Sequence, residues 1–112
     1  MDKKVLVTGG SGLVGTYLKD IMPSAIYVSS KDFNLLREDE VKKMFKEIQP
    51  NIVVHLAAYL GDEWNHHLDT NIIGCYNVFE AARLAGVKNI IFGYILMELL
   101  VDRLSFQKNT NI

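Results

Sequence analysis

The chain has 112 residues, a net charge of −1 and apolar side chains at 49% of its positions. That is enough for one domain with a modest core, and the dispersed Lys and Arg exclude a nucleic-acid footprint or a basic membrane-binding face. No apolar run approaches a membrane span, the start is too poor in apolar residues for a signal peptide, and the single Cys75 excludes an internal disulfide and fits a reducing, cytoplasmic setting.

Val5 to Thr8 reads as a short buried strand. It runs straight into Gly9-Gly10-Ser11-Gly12-Leu13-Val14-Gly15. Glycines at such a place allow a sharp turn and let a pyrophosphate reach the main chain with no Cβ in the way. Leu13, Val14, Tyr17, Leu18, Ile21 and Met22 recur at helical spacing, and Pro23 ends the run. A helix starting there aims its unpaired N–H groups and its positive dipole end at an anion. Ala25 to Ser29 is a second strand and Ser30 to Asn34 a loop. Glu38 to Ile48 is a helix with Val41, Met44, Phe45 and Ile48 on one face, broken by Gln49-Pro50-Asn51. Ile52 to Leu56 is a third strand and Ala57 to Asp69 a loop. A helix from Thr70 to Ala85 stops at Gly86, and Val87 to Phe92 is a fourth strand. Tyr94 to about Phe106 is a last helix, apolar on more than one side, and 107–112 form a polar tail.

Strands alternating with helices of this length predict right-handed β-α-β units. The fold class is α/β, a three-layer αβα domain on a four-stranded parallel sheet of order 3-2-1-4. Ligands on such sheets bind beyond the C-terminal ends of the strands, at the switch point beside the first strand. The glycine turn, Ser29-Ser30-Lys31 and Ala57-Ala58 all fall there. An NAD site places a carboxylate after the second strand to accept from the ribose 2′-hydroxyl. Ser29, Ser30 and Lys31 offer hydroxyls and a cation instead, which suit a 2′-phosphate and favour NADP over NAD. Asp32, one residue on, is the group that could still serve a ribose. The small Ala57 and Ala58 let a cofactor lie against the sheet or let a helix pack closely. Adjacent His66 and His67 diverge on either a helix or a strand and predict no metal site.

Val5 to Gly15, with its Thr8-Gly9-x-x-Gly12-x-x-Gly15, resembles the opening of the extended short-chain dehydrogenase/reductase (NAD-dependent epimerase/dehydratase) family. Val28-Ser29-Ser30-Lys31-Asp32, Leu35, Gln49-Pro50 and His55-Leu56-Ala57-Ala58-Tyr59 look like its GDP-L-fucose synthase branch. Asn71-x-x-Gly74-x-x-Asn77-Val78 with Glu80-Ala81-Ala82 is similar to the helix after the third strand in the wider family. The resemblance implies a Rossmann fold. It implies pyrophosphate binding by Gly9, Ser11, Gly12, Leu13, Val14 and Gly15, and NADP selection by Ser29, Ser30 and Lys31. It puts Asn34 and Leu35 near the adenine, and Ala57, Ala58 and Leu60 along the ribose and nicotinamide.

The departures point away from catalysis. Family members are about three times as long, and their C-terminal half, which binds the nucleotide sugar, has no counterpart here, so the chain reads as a single truncated domain over residues 1–112. Phe92-Gly93 stands where the resemblance implies a Ser or Thr. Tyr94 takes the place of the family's catalytic tyrosine, but Tyr-x-x-x-Lys has become Tyr94-x-x-x-Glu98. A carboxylate raises a neighbouring tyrosine pKa, the wrong direction for an acid/base. The expectation is therefore a cytoplasmic NADP-binding domain, catalytically incompetent alone. The alternative is a non-enzymatic interaction module. It would pair through residues 70–85 and 94–106, the helices through which the resemblance implies dimerisation, with itself or with a full-length relative.

Overall fold

The computed structural model describes residues 3–57, 63, 65 and 67–92. In chain order the elements are β1 (Val5–Thr8), α1 (Leu13–Ile21), β2 (Ile26–Val28), α2 (Glu38–Ile48) and β3 (Ile52–His55), then a π-helical segment (His67–Gly74), α3 (Cys75–Leu84) and β4 (Asn89–Phe92). The last helix expected over 94–106 lies outside the described residues.

All strand pairs are parallel, and the fold class is the expected one. Side by side the strands run β2-β1-β3-β4. In the order 3-2-1-4, the third strand lies outside the second. Here β3 instead pairs with β1 on the side away from β2, and β4 lies outside β3. The chain thus leaves β1 toward β2 and returns across it to β3. Right-handed crossovers in opposite directions put α1 on one face and α2 and α3 on the other, with the switch point between β1 and β3.

Strand register explains where the core sits. Leu6 pairs with Val53, and Val53 with Ile90, so these three point to one face. There they meet Val41, Met44 and Phe45 of α2 and Val78, Ala81 and Ala82 of α3. Among the described residues, the other face carries α1 alone. Gly15 is buried and Val14, Leu18 and Met22 are half-buried, while Leu13, Tyr17 and Ile21 are 65%, 67% and 75% exposed. The stripe expected from the spacing is therefore split. α1 lies close through the narrow Gly15 side, and its Leu13 side has no partner among the described residues.

Several boundaries move for local reasons. β2 stops at Val28 because the Ser29 N–H is held by the Asp32 carboxylate at 2.8 Å. β4 starts at Asn89 because the Val87 N–H is already given to the Ala82 carbonyl at 2.9 Å. The helix expected from Thr70 begins at His67 and is wound as a π-helix up to Gly74. α2 carries Glu38, Asp39 and Glu40 in its first turn and Lys46 in its last, which complements the helix dipole. It ends on Gln49 at φ 52°. Asn51 follows and ties the break to β1, its side-chain oxygen accepting from the Lys4 N–H at 2.7 Å.

α3 closes on a Schellman motif. The Gly86 N–H donates to Arg83 O at 3.2 Å, the Val87 N–H donates to Ala82 O, and Gly86 has φ 76°. A Cβ at Gly86 would meet nothing within 4 Å, so its cost is backbone strain alone. Gly86→Ala is expected to lower stability by about 1 kcal/mol. Urea unfolding curves for the two proteins check this.

Candidate functional site

β1 hands the chain to a turn that only a residue without a side chain can make. Gly9 has φ 69°, and a Cβ there would lie 2.6 Å from the Ala57 nitrogen and 2.8 Å from the Leu56 carbonyl carbon. Gly15 is pressed as closely, its missing Cβ 2.7 Å from Gly10 O. Gly12 differs. Nothing approaches its Cβ position more closely than Gly9 O at 3.4 Å, and it opens onto the cleft. Packing therefore demands Gly9 and Gly15, whereas Gly12 leaves room for something else.

Gly12 is the extended N-cap of α1, at φ −77° and ψ −179°, with no side-chain cap and no acidic residue in the first turn. The amides of Leu13, Val14 and Gly15 are those for which an α-helix has no carbonyl one turn back. Thr16 turns its hydroxyl inward, donating to Gly12 O at 2.8 Å. The end of α1 thus presents amides and a positive dipole to the space above the sheet, suited to an anion.

That space is a cleft of about 600 Å³. Of the residues expected at the site, Gly9, Ser11, Gly12, Ser29, Ser30, Asn34, Leu35 and Ala57 line it. Leu13, Val14 and Gly15 sit behind its lip in α1, and Lys31 is exposed next to Ser30. Ala58, Leu60 and Tyr94 lie outside the described residues, as does His66. Leu56, just past β3, lines the cleft too, and so do Phe33, Leu36 and Thr70, which were not singled out from sequence. Phe33, an apolar residue in a polar loop, carried the one legible signal. Thr70 carried none, because its place depends on how the π-helical segment meets the loop.

At the ribose corner the acidic residue is engaged. The Asp32 carboxylate accepts from the Ser29 N–H at 2.8 Å, and the Asp32 N–H donates to Ser29 O at 2.9 Å. The Lys31 N–H donates to the Ser29 hydroxyl at 3.3 Å. Asn34 is turned to its own loop, its side-chain oxygen accepting from the Leu36 N–H at 3.0 Å.

Beneath the cleft lies a buried polar pair. The Thr8 hydroxyl sits 2.6 Å from His55 Nδ1 and accepts from the Leu56 N–H at 3.2 Å and the Ala57 N–H at 3.4 Å. With its lone pairs taken by the amides, the hydroxyl gives its hydrogen to Nδ1, so His55 is the neutral Nε2–H tautomer. His55 is 2% exposed and stacked on Phe92, and burial pushes its pKa down to about 4. Burial pushes the Cys75 thiol up, opposite to what a nucleophile needs. Among the described residues no cluster of three His, Cys, Asp or Glu is placed to hold a metal, and no helix is long and apolar enough to cross a membrane.

A glycine turn into an uncapped helix, at the switch point of a parallel sheet, matches a known family. The family model described as NAD dependent epimerase/dehydratase covers residues 5–93. The chain belongs to the NAD-dependent epimerase/dehydratase family. A probable GDP-L-fucose synthase from Drosophila melanogaster is 32% identical over 80% of this chain and 32% of that protein. Protein CapI from Staphylococcus aureus is 27% identical over 80% of this chain and 36% of that protein. The structure of a GDP-L-fucose synthetase from Naegleria fowleri bound to NADP superposes with a TM-score of 0.72, at 32% identity, over 81% of this chain and 30% of that one. WbmG from Bordetella bronchiseptica, in complex with NAD, shares the fold with a TM-score of 0.72 at 24% identity. The chain spans about a third of the length of these curated relatives. It resembles the nicotinamide-dinucleotide-binding part of the fucose synthases.

The buried imidazole makes stability pH-dependent. Above pH 6.5 His55 is neutral folded or unfolded. As pH falls, the unfolded chain takes up a proton that the folded chain refuses, down to about 4. Stability should drop by up to ~3 kcal/mol from this group across that window and level off below it. Urea midpoints from pH 7.5 to 3.5 check this, and His55→Asn should remove that increment.

Proposed function

We propose that the chain binds NADP in the cleft above β1 and β3. The pyrophosphate would rest on the turn from Gly9 to Gly15 and on the first amides of α1. The adenosine 2′-phosphate would meet the hydroxyls of Ser29 and Ser30 and the Lys31 ammonium. Asn34 and Leu35 would flank the adenine, and Ala57, Ala58 and Leu60 the ribose and nicotinamide side. The engagement of Asp32 carries the preference for NADP. One oxygen of its carboxylate, Oδ2, accepts from the Ser29 N–H, which draws the group that would bind a bare ribose into the turn. The NADP named in the Naegleria structure agrees with this reading. The dinucleotide, when bound, supplies hydride chemistry; this chain's residues hold and orient it.

Turnover is not part of the proposal. Tyr94-x-x-x-Glu98 lacks the lysine that would make Tyr94 an acid/base, and residues 1–112 read as one cofactor-binding domain. The reading includes a cytoplasmic setting, which the free, buried Cys75 suits. A second reading is favoured by the outer face of the π-helical segment and α3. Ile72 and Tyr76 are 58% and 62% exposed there, with Ile73 and Phe79 beside them. Such a stripe suits an interaction module that pairs through residues 70–85 and 94–106, with itself or a full-length relative.

Titration with NADPH and NADH by calorimetry should give saturable binding, tighter for NADPH. Gly12→Val should fold normally, since the position is open, and abolish binding of both. Lys31→Ala should weaken NADPH by about tenfold and leave NADH unchanged. Absence of saturable binding overturns the first reading, and a monomer by light scattering at all concentrations overturns self-pairing in the second.

A further inference from the structure

Asn77 lies in α3, outside the cleft, and is 5% exposed on a helix that also buries Val78, Ala81 and Ala82. A buried amide in such surroundings is unfavourable unless it is bonded, and an apolar side chain would pack there without that demand. Its Nδ2 donates to the Leu35 carbonyl at 3.0 Å, across 42 residues of sequence. Leu35 belongs to the cleft wall.

A second contact reaches the same residue. A Cβ at Gly74 would lie 2.5 Å from Leu35 Cδ2 and 2.7 Å from its Cγ, so Leu35 rests directly on the backbone of the helix. Gly74 and Asn77 are three residues apart and share a helix face, and Thr70, one turn earlier, lines the cleft. The loop they grip runs from Ser29 to Arg37. Bonds within it are local: Ser29 to Asp32, Leu36 N–H to Asn34 Oδ1, Arg37 N–H to Asn34 O. They fix the shape of the loop. Its place over the sheet is set from outside: Phe33 packs into the core, the Asn34 N–H donates to Glu40 Oε1 at 3.2 Å, and Gly74 and Asn77 hold Leu35.

We infer that Asn77, with the Leu35–Gly74 contact, is a positioning residue that sets the loop carrying Ser29, Ser30, Asn34 and Leu35, and through it the discrimination between a 2′-phosphate and a bare ribose. The inference rests on the dinucleotide reading of the cleft. The pyrophosphate turn hangs on β1 and α1, so the loop's displacement is felt at the ribose corner and not at the turn. Contacts to a phosphate are steep in distance, and a wall misplaced by a fraction of an ångström weakens them selectively.

The test is dinucleotide titration on the full chain, with urea unfolding run alongside. Asn77→Leu should weaken NADPH by about tenfold and NADH by much less, narrowing the ratio of the two affinities. A merely structural role would weaken both equally, in step with stability, and that outcome overturns the inference. A second variant set stands apart from the Asn77 substitution and decides if Asn77→Leu does not fold. Gly74→Ala should weaken NADPH binding in the native background and have no further effect on a Leu35→Ala chain, which has room for the methyl group. Equal effects of Gly74→Ala in both backgrounds overturn the inference. If the unsubstituted chain binds neither nucleotide, the proposed function itself fails; if it binds and the wall variants behave like it, only this inference fails.

Discussion

A Cβ at Gly9 would stand 2.6 Å from the backbone nitrogen of Ala57, and no rearrangement of a side chain could make room for it, because the obstacle is main chain. β1 and β3 can end side by side with the chain turning away above them only because that atom is missing. Three features then follow. Thr8, one residue earlier, comes within reach of the Leu56 and Ala57 amides and of His55. The turn has room to curl into α1, which approaches the turn through Gly15. The cleft gains a floor at Leu56 and Ala57 with a helix N-terminus aimed across it.

The polar groups near this floor are satisfied in a way that leaves the cleft itself free. The Thr8 hydroxyl accepts from the Ala57 amide and shares the Leu56 amide with its own carbonyl, and it sits against a histidine that burial keeps neutral. Asp32 and Asn34 spend their side chains on their own loop. Amides and hydroxyls line the cleft with no carboxylate among them, and Lys31 is exposed beside Ser30. That is the electrostatics of an anion site, arrived at by internal consumption of the acceptors.

The apolar surface has a different logic. The core fills one side of the sheet, between it and α2 and α3. On the other side Leu13, Tyr17 and Ile21 of α1 stand exposed, and Ile91 of β4 is 58% exposed. The chain covers about a third of its curated relatives. The described residues resemble the dinucleotide-binding part of the fucose synthases and leave apolar surface along both α1 and α3.

Much of this was legible in the sequence because local chemistry dictates it. Val5 to Thr8 is apolar and β-branched, the glycines leave only a turn, Pro23 and Gly86 stop helices, and Glu38 to Ile48 carries its apolar residues on one face. The cleft residues after β1, β2 and β3 follow from the rule that ligands sit at strand C-termini, so Gly9, Ser29 and Ala57 could be named without coordinates. Three things could not. Where β2 ends depends on Asp32 capturing the Ser29 amide. Whether Asp32 is available to a ligand depends on the same bond. Thr70 lines the cleft, and Asn77 bonds its wall at Leu35, only because the π-helical segment and α3 stack on the Ser29–Arg37 loop. The sequence determined the elements and the glycine turn, since these answer to residues within a few positions of each other. The tertiary structure decided which side chains are spent internally and which face the cleft, since a hydrogen bond or a 2.5 Å approach between residues some forty positions apart has no local signature.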